Sequence, residues 1–216
     1  MVARLGLLVA GGRGARMGEG LPKALRTVGG RTLFARAEAV LRACCDEVLV
    51  CAPVDLELPC PRDRRVPDAP AGEAGSASAS AAVFAAGGRE GSNRSHGPLA
   101  GIVAGLAARE YGAALVLGVD FPLLDAATLR TVERALDGRA VALAAPGGVP
   151  QPLAAWYAPG AAAPLAEAFA RGERSVTRAV LALPHALVPV DGERFLNVNT
   201  PDDLVRAELL LERLPS

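Results

Sequence analysis

The chain has no excess of charge of either sign, since its 23 basic residues are matched by 23 acidic ones. Nothing therefore draws it strongly toward nucleic acid or an anionic membrane surface. Aromatics are scarce, at five Phe, two Tyr and one Trp, so platforms for stacking single-stranded bases are few and the core must come mainly from Ala, Val and Leu. Only two histidines occur, His96 and His185. The cysteines Cys44, Cys45, Cys51 and Cys60 form no C-x-x-C pair and have no histidine at zinc-ligand spacing, which argues against a metal cluster. Long apolar runs are also missing: residues 5–10 follow Arg4 in the manner of a leader, but six residues are too few and they run straight into glycines. We therefore expect a cytoplasmic protein with reduced thiols. An apolar share of 51% across 216 residues is enough to bury a large core, and the length suits a single domain over residues 1–216.

What is present alternates. Residues 5–10 (LGLLVA) are a short continuous apolar run ended by Gly11 and Gly12, the pattern of a strand buried on both faces of a parallel sheet. Residues 32–43 place Leu33, Ala37, Val40 and Leu41 on one helical face behind Thr32 as N-cap, and 47–52 (EVLVCA) read as a second strand. Further on, 98–109 and 125–136 read as helices, and 113–119 and 140–144 as strands. Residues 153–157 and 187–189 add short strands, 161–170 and 175–183 short helices, and 201–214 a closing amphipathic helix. Such alternation predicts an α/β fold: a three-layer α/β/α sandwich, Rossmann-like, with a mostly parallel central sheet and ligands outside the carboxyl ends of its strands. Residues 71–95, dominated by Ala, Gly and Ser, read as a low-complexity insertion with almost nothing large to bury.

The segment after the first strand, AGGRGARMGEGLPK (residues 10–23), carries the most chemistry. Its glycines let backbone N–H groups approach a polyphosphate, while Arg16 and Lys23 supply positive charge. A dinucleotide fingerprint fails, because Gly12 and Gly14 are followed by Met17 where the third glycine belongs. A Walker loop fails too, since Lys23 lies between Pro22 and Ala24. Asp120 closes the apolar strand over 113–119, which holds a carboxylate at the ligand-binding edge where it could take Mg²⁺ or else cap the following turn. Asn197 and Asn199 alternate along an extended segment and so face one side; Thr200 and Pro201 read as a helix cap and first turn.

The 10–23 segment resembles the signature loop of the sugar-nucleotide type of nucleotidyltransferase, running Val9-Ala10-Gly11-Gly12 through Arg16-Met17-Gly18 to Lys23. Four downstream pieces, HGPLAGI (96–102), GVDFP (118–122), QPL (151–153) and FLNVNTPDDL (195–204), are similar to the molybdenum cofactor guanylyltransferase family and occur in its order. The resemblance spans almost the whole chain. It implies a Mg²⁺-dependent transfer of GMP from GTP to molybdopterin, with pyrophosphate released. It also implies contact with molybdoenzymes or the proteins that deliver their cofactor, and neither nucleic acid nor membrane as partner. By the same resemblance Arg16, Lys23 and Asp120 are catalytic, with Asp120 the metal ligand. Val9, Ala10, Gly11, Gly12, Gly14, Asp68, Pro98, Leu99 and Gly101 join them at the nucleotide, and Gln151, Asn197 and Asn199 face the acceptor. One departure stands out. Pro53 follows the second strand where the family commonly has a base-contacting asparagine. The spacing from Met17 to Lys23 is also similar to cytidylyltransferases of isoprenoid synthesis and of other molybdopterin enzymes. Cytidylyl transfer therefore stays open, as does a noncatalytic nucleotide- or pterin-binding role.

Overall fold

The computed structural model of the chain describes residues 3–11, 17, 20–53, 55–67 and 97–214. Its first strand, β1 (Arg4–Val9), shows why the opening run is apolar without alternation. Leu5, Leu7 and Val9 enter one hydrophobic cluster, whereas Leu8 and Ala10 enter another on the opposite face. Both faces are covered, so a polar residue at either parity would be buried.

Two very short strands follow, β2 (Thr27–Val28) and β3 (Arg31–Thr32), paired antiparallel around Gly29 and Gly30. Both glycines have positive φ, 54° and 71°, as a tight primed turn requires. Helix α1 (Leu33–Cys44) starts at Thr32, whose hydroxyl accepts from the Ala35 N–H. Next come β4 (Glu47–Cys51), β5 (Arg65–Val66), α2 (Pro98–Ala107) and β6 (Ala113–Gly118). The rest is α3 (Ala126–Glu133), β7 (Val141–Ala144), β8 (Gln151–Tyr157), α4 (Ala162–Ala170), α5 (Val176–Leu181), β9 (His185–Val188) and α6 (Pro201–Leu211).

Seven strands form one sheet in the order β5-β4-β1-β6-β8-β7-β9. Residues of α1, α3 and α6 pack on one face, and those of α2, α4 and α5 on the other. This is the expected three-layer α/β/α sandwich, Rossmann-like, with a mostly parallel sheet. Only β8 runs against its neighbours β6 and β7. Its direction follows from the short connection through Pro146-Gly147-Gly148-Val149, in which both glycines have positive φ, 56° and 82°. A link that short joins antiparallel neighbours, because a parallel crossover needs a dozen residues or more.

Register fixes where the working edge lies. Val9 is level with Cys51 on one side and Gly118 on the other, so β4, β1 and β6 end together. The chain leaving each strand therefore emerges at a common carboxyl edge. Helix α2 approaches this region closely: a Cβ on Gly105 would lie 2.8 Å from both Cys51 Sγ and Leu7 Cδ1. The stretch 71–95 and the alanine-rich run within it fall outside the described residues.

Candidate active site

The carboxyl edge is assembled by backbone hydrogen bonds. Ala10 N donates to Cys51 O at 3.0 Å, and Val119 N donates to Val9 O at 3.3 Å. Gly11 lies beside Pro53 there, and a Cβ on it would stand 3.4 Å from Pro53 Cδ. Met17 is buried in the α1 face of the core, and its carbonyl accepts from Arg26 Nη2 at 3.0 Å. Anchored in this way, the chain delivers Lys23 at the head of a 3₁₀ turn, Lys23–Leu25, whose Ala24 is fully buried.

Lys23 is 7% exposed, and among the described residues it is the one buried side chain that carries charge. Burial strips water from an ammonium, so fixed oxygens must replace it. Two do. Nζ donates to Asn199 Oδ1 at 2.8 Å and lies 3.5 Å from Asp120 Oδ2. The amide contact is a full hydrogen bond; the carboxylate contact is a looser ionic one.

Asp120 follows β6 by two residues, and the space for its carboxylate exists because residue 118 is glycine. A Cβ on Gly118 would collide with Asp120 Oδ1. That oxygen is buried and has no hydrogen-bond partner among the described residues. The turn-capping alternative for Asp120 is therefore not what forms: Asp125 is the residue whose side chain caps α3, accepting from Thr128 N at 2.7 Å. A buried carboxylate oxygen without a donor suits a hard cation. Among the described residues no group of three or more His, Cys, Asp or Glu converges on a metal position. Mg²⁺ fits such a place, since it commonly takes one or two carboxylates and completes its shell with phosphate and water.

Asn197 and Asn199 are pinned rather than pendent. Val198 is fully buried and its N–H donates to Asp120 O at 2.9 Å, so Asn197 and Asn199 flank a residue tied to the Asp120 backbone. Asn199 Nδ2 donates to Asn197 Oδ1 at 2.7 Å, which places both amides on one side, as their alternation predicts. Thr200 caps α6, and Asp203 completes a capping box, its Oδ2 accepting from the Asn199 and Thr200 N–H groups at 2.9 Å each. These bonds, the Asn199 N–H first, hold Asp203 below the usual carboxylate range.

Gln151 opens β8, and because β8 runs antiparallel to β6 its start lies beyond Gly118 at the same edge. Gly97, with φ of 83°, turns the chain into α2 at Pro98; Leu99 and Gly101 are both buried. Leu99 belongs to the core cluster, so its side chain faces inward, whereas Pro98 is exposed. Gly12, Gly14, Arg16 and Asp68 lie outside the described residues. Arg26 and Arg65 bear no motif that marks them, and Gly118 lies in the GVDFP piece without a role of its own; Arg65 Nη2 donates to Pro53 O at 3.3 Å and also to Leu56 O. Gly118 had one readable signal, a glycine inside a Val/Leu strand.

Comparison with known proteins places the chain in a family. A family model described as the MobA-like NTP transferase domain matches residues 6–93 and 89–190. The chain belongs to that family. A molybdenum cofactor guanylyltransferase of Pseudomonas putida is 31% identical over 202 residues, covering 92% of this chain and 94% of the relative. A probable molybdenum cofactor guanylyltransferase of Chloroflexus aggregans is 35% identical, covering 92% and 90%. Among solved structures, molybdopterin-guanine dinucleotide biosynthesis protein A of Archaeoglobus fulgidus superimposes with a TM-score of 0.62 at 24% identity, over 97% of this chain and all of that one. A 2-C-methyl-D-erythritol 4-phosphate cytidylyltransferase of Thermus thermophilus gives 0.64 at 23%, over 99% and 100%. At those identities the two structures establish the fold alone. As a MobA-like NTP transferase domain, the chain is a nucleotidyltransferase. Among its described residues no helix is long and apolar enough to cross a membrane.

Proposed function

We propose that this protein works in the cytoplasm as one nucleotidyltransferase domain, transferring GMP from GTP to the terminal phosphate of molybdopterin carrying molybdenum. An acceptor phosphate oxygen forms a bond to the α-phosphorus while the bond from that phosphorus to the α,β-bridging oxygen breaks. Pyrophosphate leaves, and the product is the guanine dinucleotide form of the cofactor. The single observation that carries the reading is the place of Lys23 Nζ, between Asp120 Oδ2 at 3.5 Å and Asn199 Oδ1 at 2.8 Å. One buried cation thus touches both the proposed metal ligand and one of the two acceptor-side amides.

The acceptor phosphate is already anionic, so no nucleophile on the protein and no general-base triad is needed. Alignment and charge neutralisation suffice. Backbone N–H groups of the loop from Gly11, together with Arg16, take the triphosphate, and Lys23 takes the α-phosphate. Its burial strengthens that contact and its three donors leave one free for a new oxygen. Asp120 would hold Mg²⁺ through Oδ1, supplying a cation that offsets charge on the phosphoryl oxygens. Asn197 and Asn199 meet the acceptor. Pro53 offers no side-chain donor, so the base is read by other groups than the family's asparagine. The names of the relatives support guanine.

A thermal-shift panel with Mg²⁺ and each of the four common nucleoside triphosphates tests this reading, followed by pyrophosphate release with the best binder and molybdopterin. The expected result is the largest shift with GTP and release that requires molybdopterin. A larger shift with CTP would redirect the reading to cytidylyl transfer. Binding without release would make the protein a nucleotide- or pterin-binding one.

A further inference from the structure

The three polar side chains between the donor and acceptor halves of the site form a hydrogen-bond chain with a forced direction. Lys23 can only donate, so the atom of Asn199 that meets Nζ at 2.8 Å must be the amide oxygen. The other end of that amide is then an NH₂ group, and the atom of Asn197 that it meets at 2.7 Å must be an oxygen. This polarity does not depend on how either amide is drawn, because one end of the chain is an ammonium. The consequence falls on Asn197. Its oxygen is committed inward, and its NH₂ group remains for whatever approaches this exposed residue.

The segment is also held too firmly to improvise. Val198 N is bonded to Asp120 O, and Asn199 N to Asp203 Oδ2, both at 2.9 Å. Backbone rotation therefore cannot exchange the roles of the two amides.

We propose that Asn199 is a positioning residue that relays the donor polarity of Lys23 to Asn197, whose outward NH₂ group then binds the anionic phosphate of the acceptor. The inference rests on the guanylyl-transfer reading and refines it: Asn197 touches the acceptor, and Asn199 acts through it. Lys23 thereby serves both half-sites. It contacts the donor nucleotide directly and, through two amides, selects an anionic rather than a cationic or hydrogen-donating group on the acceptor.

The test is a double-mutant cycle of Asn199→Asp and Asn197→Ala. In Asn199→Asp the new carboxylate keeps one oxygen on Lys23 but offers Asn197 a second oxygen, so the Asn197 amide must reverse and present its own oxygen outward. We expect Asn199→Asp to raise the KM for molybdopterin by about tenfold, the usual order for a donor turned into an acceptor against an anion, and by a larger factor than it moves the KM for GTP. In the Asn197→Ala background the same substitution should add less than about twofold, because the amide it acts through is gone. If the two substitutions instead multiply in full, Asn199 acts on the acceptor directly, by contact or by charge, and the relay is wrong.

A second readout needs no turnover. With inorganic phosphate as probe, the Asn197 side-chain NH₂ resonances should shift in the wild type and not in Asn199→Asp, and the Asn199 NH₂ resonances should stay in place. Shifts confined to Asn199 would overturn the proposal. Absence of pyrophosphate release by the wild type would count against guanylyl transfer, while the phosphate titration would still decide the relay.

Discussion

Two charged clusters in this molecule use similar residues in opposite ways. At the turn between α4 and α5, Glu173 accepts from Arg178 Nε at 3.0 Å and Nη2 at 2.9 Å, and from the backbone N–H groups of Arg174 and Ser175 at 2.7 Å each. Both of its oxygens are engaged, and the Arg178 bonds foremost hold its carboxyl down to about 2. At the carboxyl edge, Asp120 has, among the described residues, one loose ionic contact through Oδ2 and none for its buried Oδ1. Saturation marks a carboxylate that serves the fold. A buried oxygen left without a donor is a cost that the fold bears and a ligand relieves.

That contrast can be broken most sharply by removing each carboxylate. Asp120→Ala should lower pyrophosphate release by about a thousandfold, the scale of losing a metal or an oxyanion donor, while the melting temperature changes little because Asn199 Oδ1 still holds Lys23 Nζ. Glu173→Ala should leave release unchanged. A large loss of melting temperature in Asp120→Ala would instead make Asp120 a structural residue.

Gly118 sharpens the comparison without touching a charge. A methyl at position 118 would meet Asp120 Oδ1, and next Leu153 Cβ at 3.4 Å. Gly118→Ala should therefore weaken Mn²⁺ binding in the presence of GTP by about tenfold, read by electron paramagnetic resonance, with the fold intact because β6 geometry suits alanine. Unchanged affinity would mean that the carboxylate need not occupy this slot.

Thr200→Ala tests how far the capping box supports the site. Losing an N-cap costs about 1 kcal/mol of stability. Because Asp203 binds both Asn199 N and Thr200 N, the KM for molybdopterin should rise a few-fold while that for GTP stays put, as steady-state kinetics would show.

The smallest effect belongs to the saturated cluster. The Glu173 carboxyl is depressed in the folded state, so its contribution is present above the unfolded value and is lost as pH falls. Wild type and Glu173→Gln should differ in melting temperature at pH 6, and the difference should shrink between about pH 4.5 and 2. A constant difference would show that the carboxylate's charge is irrelevant there.

How much of this was legible in the sequence divides along range. The caps at Thr32 and Thr200 and the proline opening α2 depend on neighbours within four residues, and each forms where the chain predicts. The apolar runs of β1 and β6 likewise announce strands covered on both faces. The reversed direction of β8 is carried by the short Pro146-Gly147-Gly148 link, which apolar periodicity alone does not register. The contact between Lys23 and Asn199 bridges 176 positions and depends on where three loops meet. Spacing can nominate both residues, but only the register of β4, β1 and β6 brings them together. The slot under Asp120 was hidden for the same reason, since a glycine in a strand does not say what fills its space.

Lys23 and Asp120 are proposed to act on one triphosphate. The most direct test is a crystal structure of the protein with GTP and Mn²⁺, read by the anomalous signal of the metal. A peak should stand about 2.1 Å from Asp120 Oδ1, with Lys23 Nζ in hydrogen-bond contact with an α-phosphate oxygen. A metal bound away from Asp120, or a triphosphate that leaves Lys23 still paired with Asn199 and Asp120 alone, would contradict it.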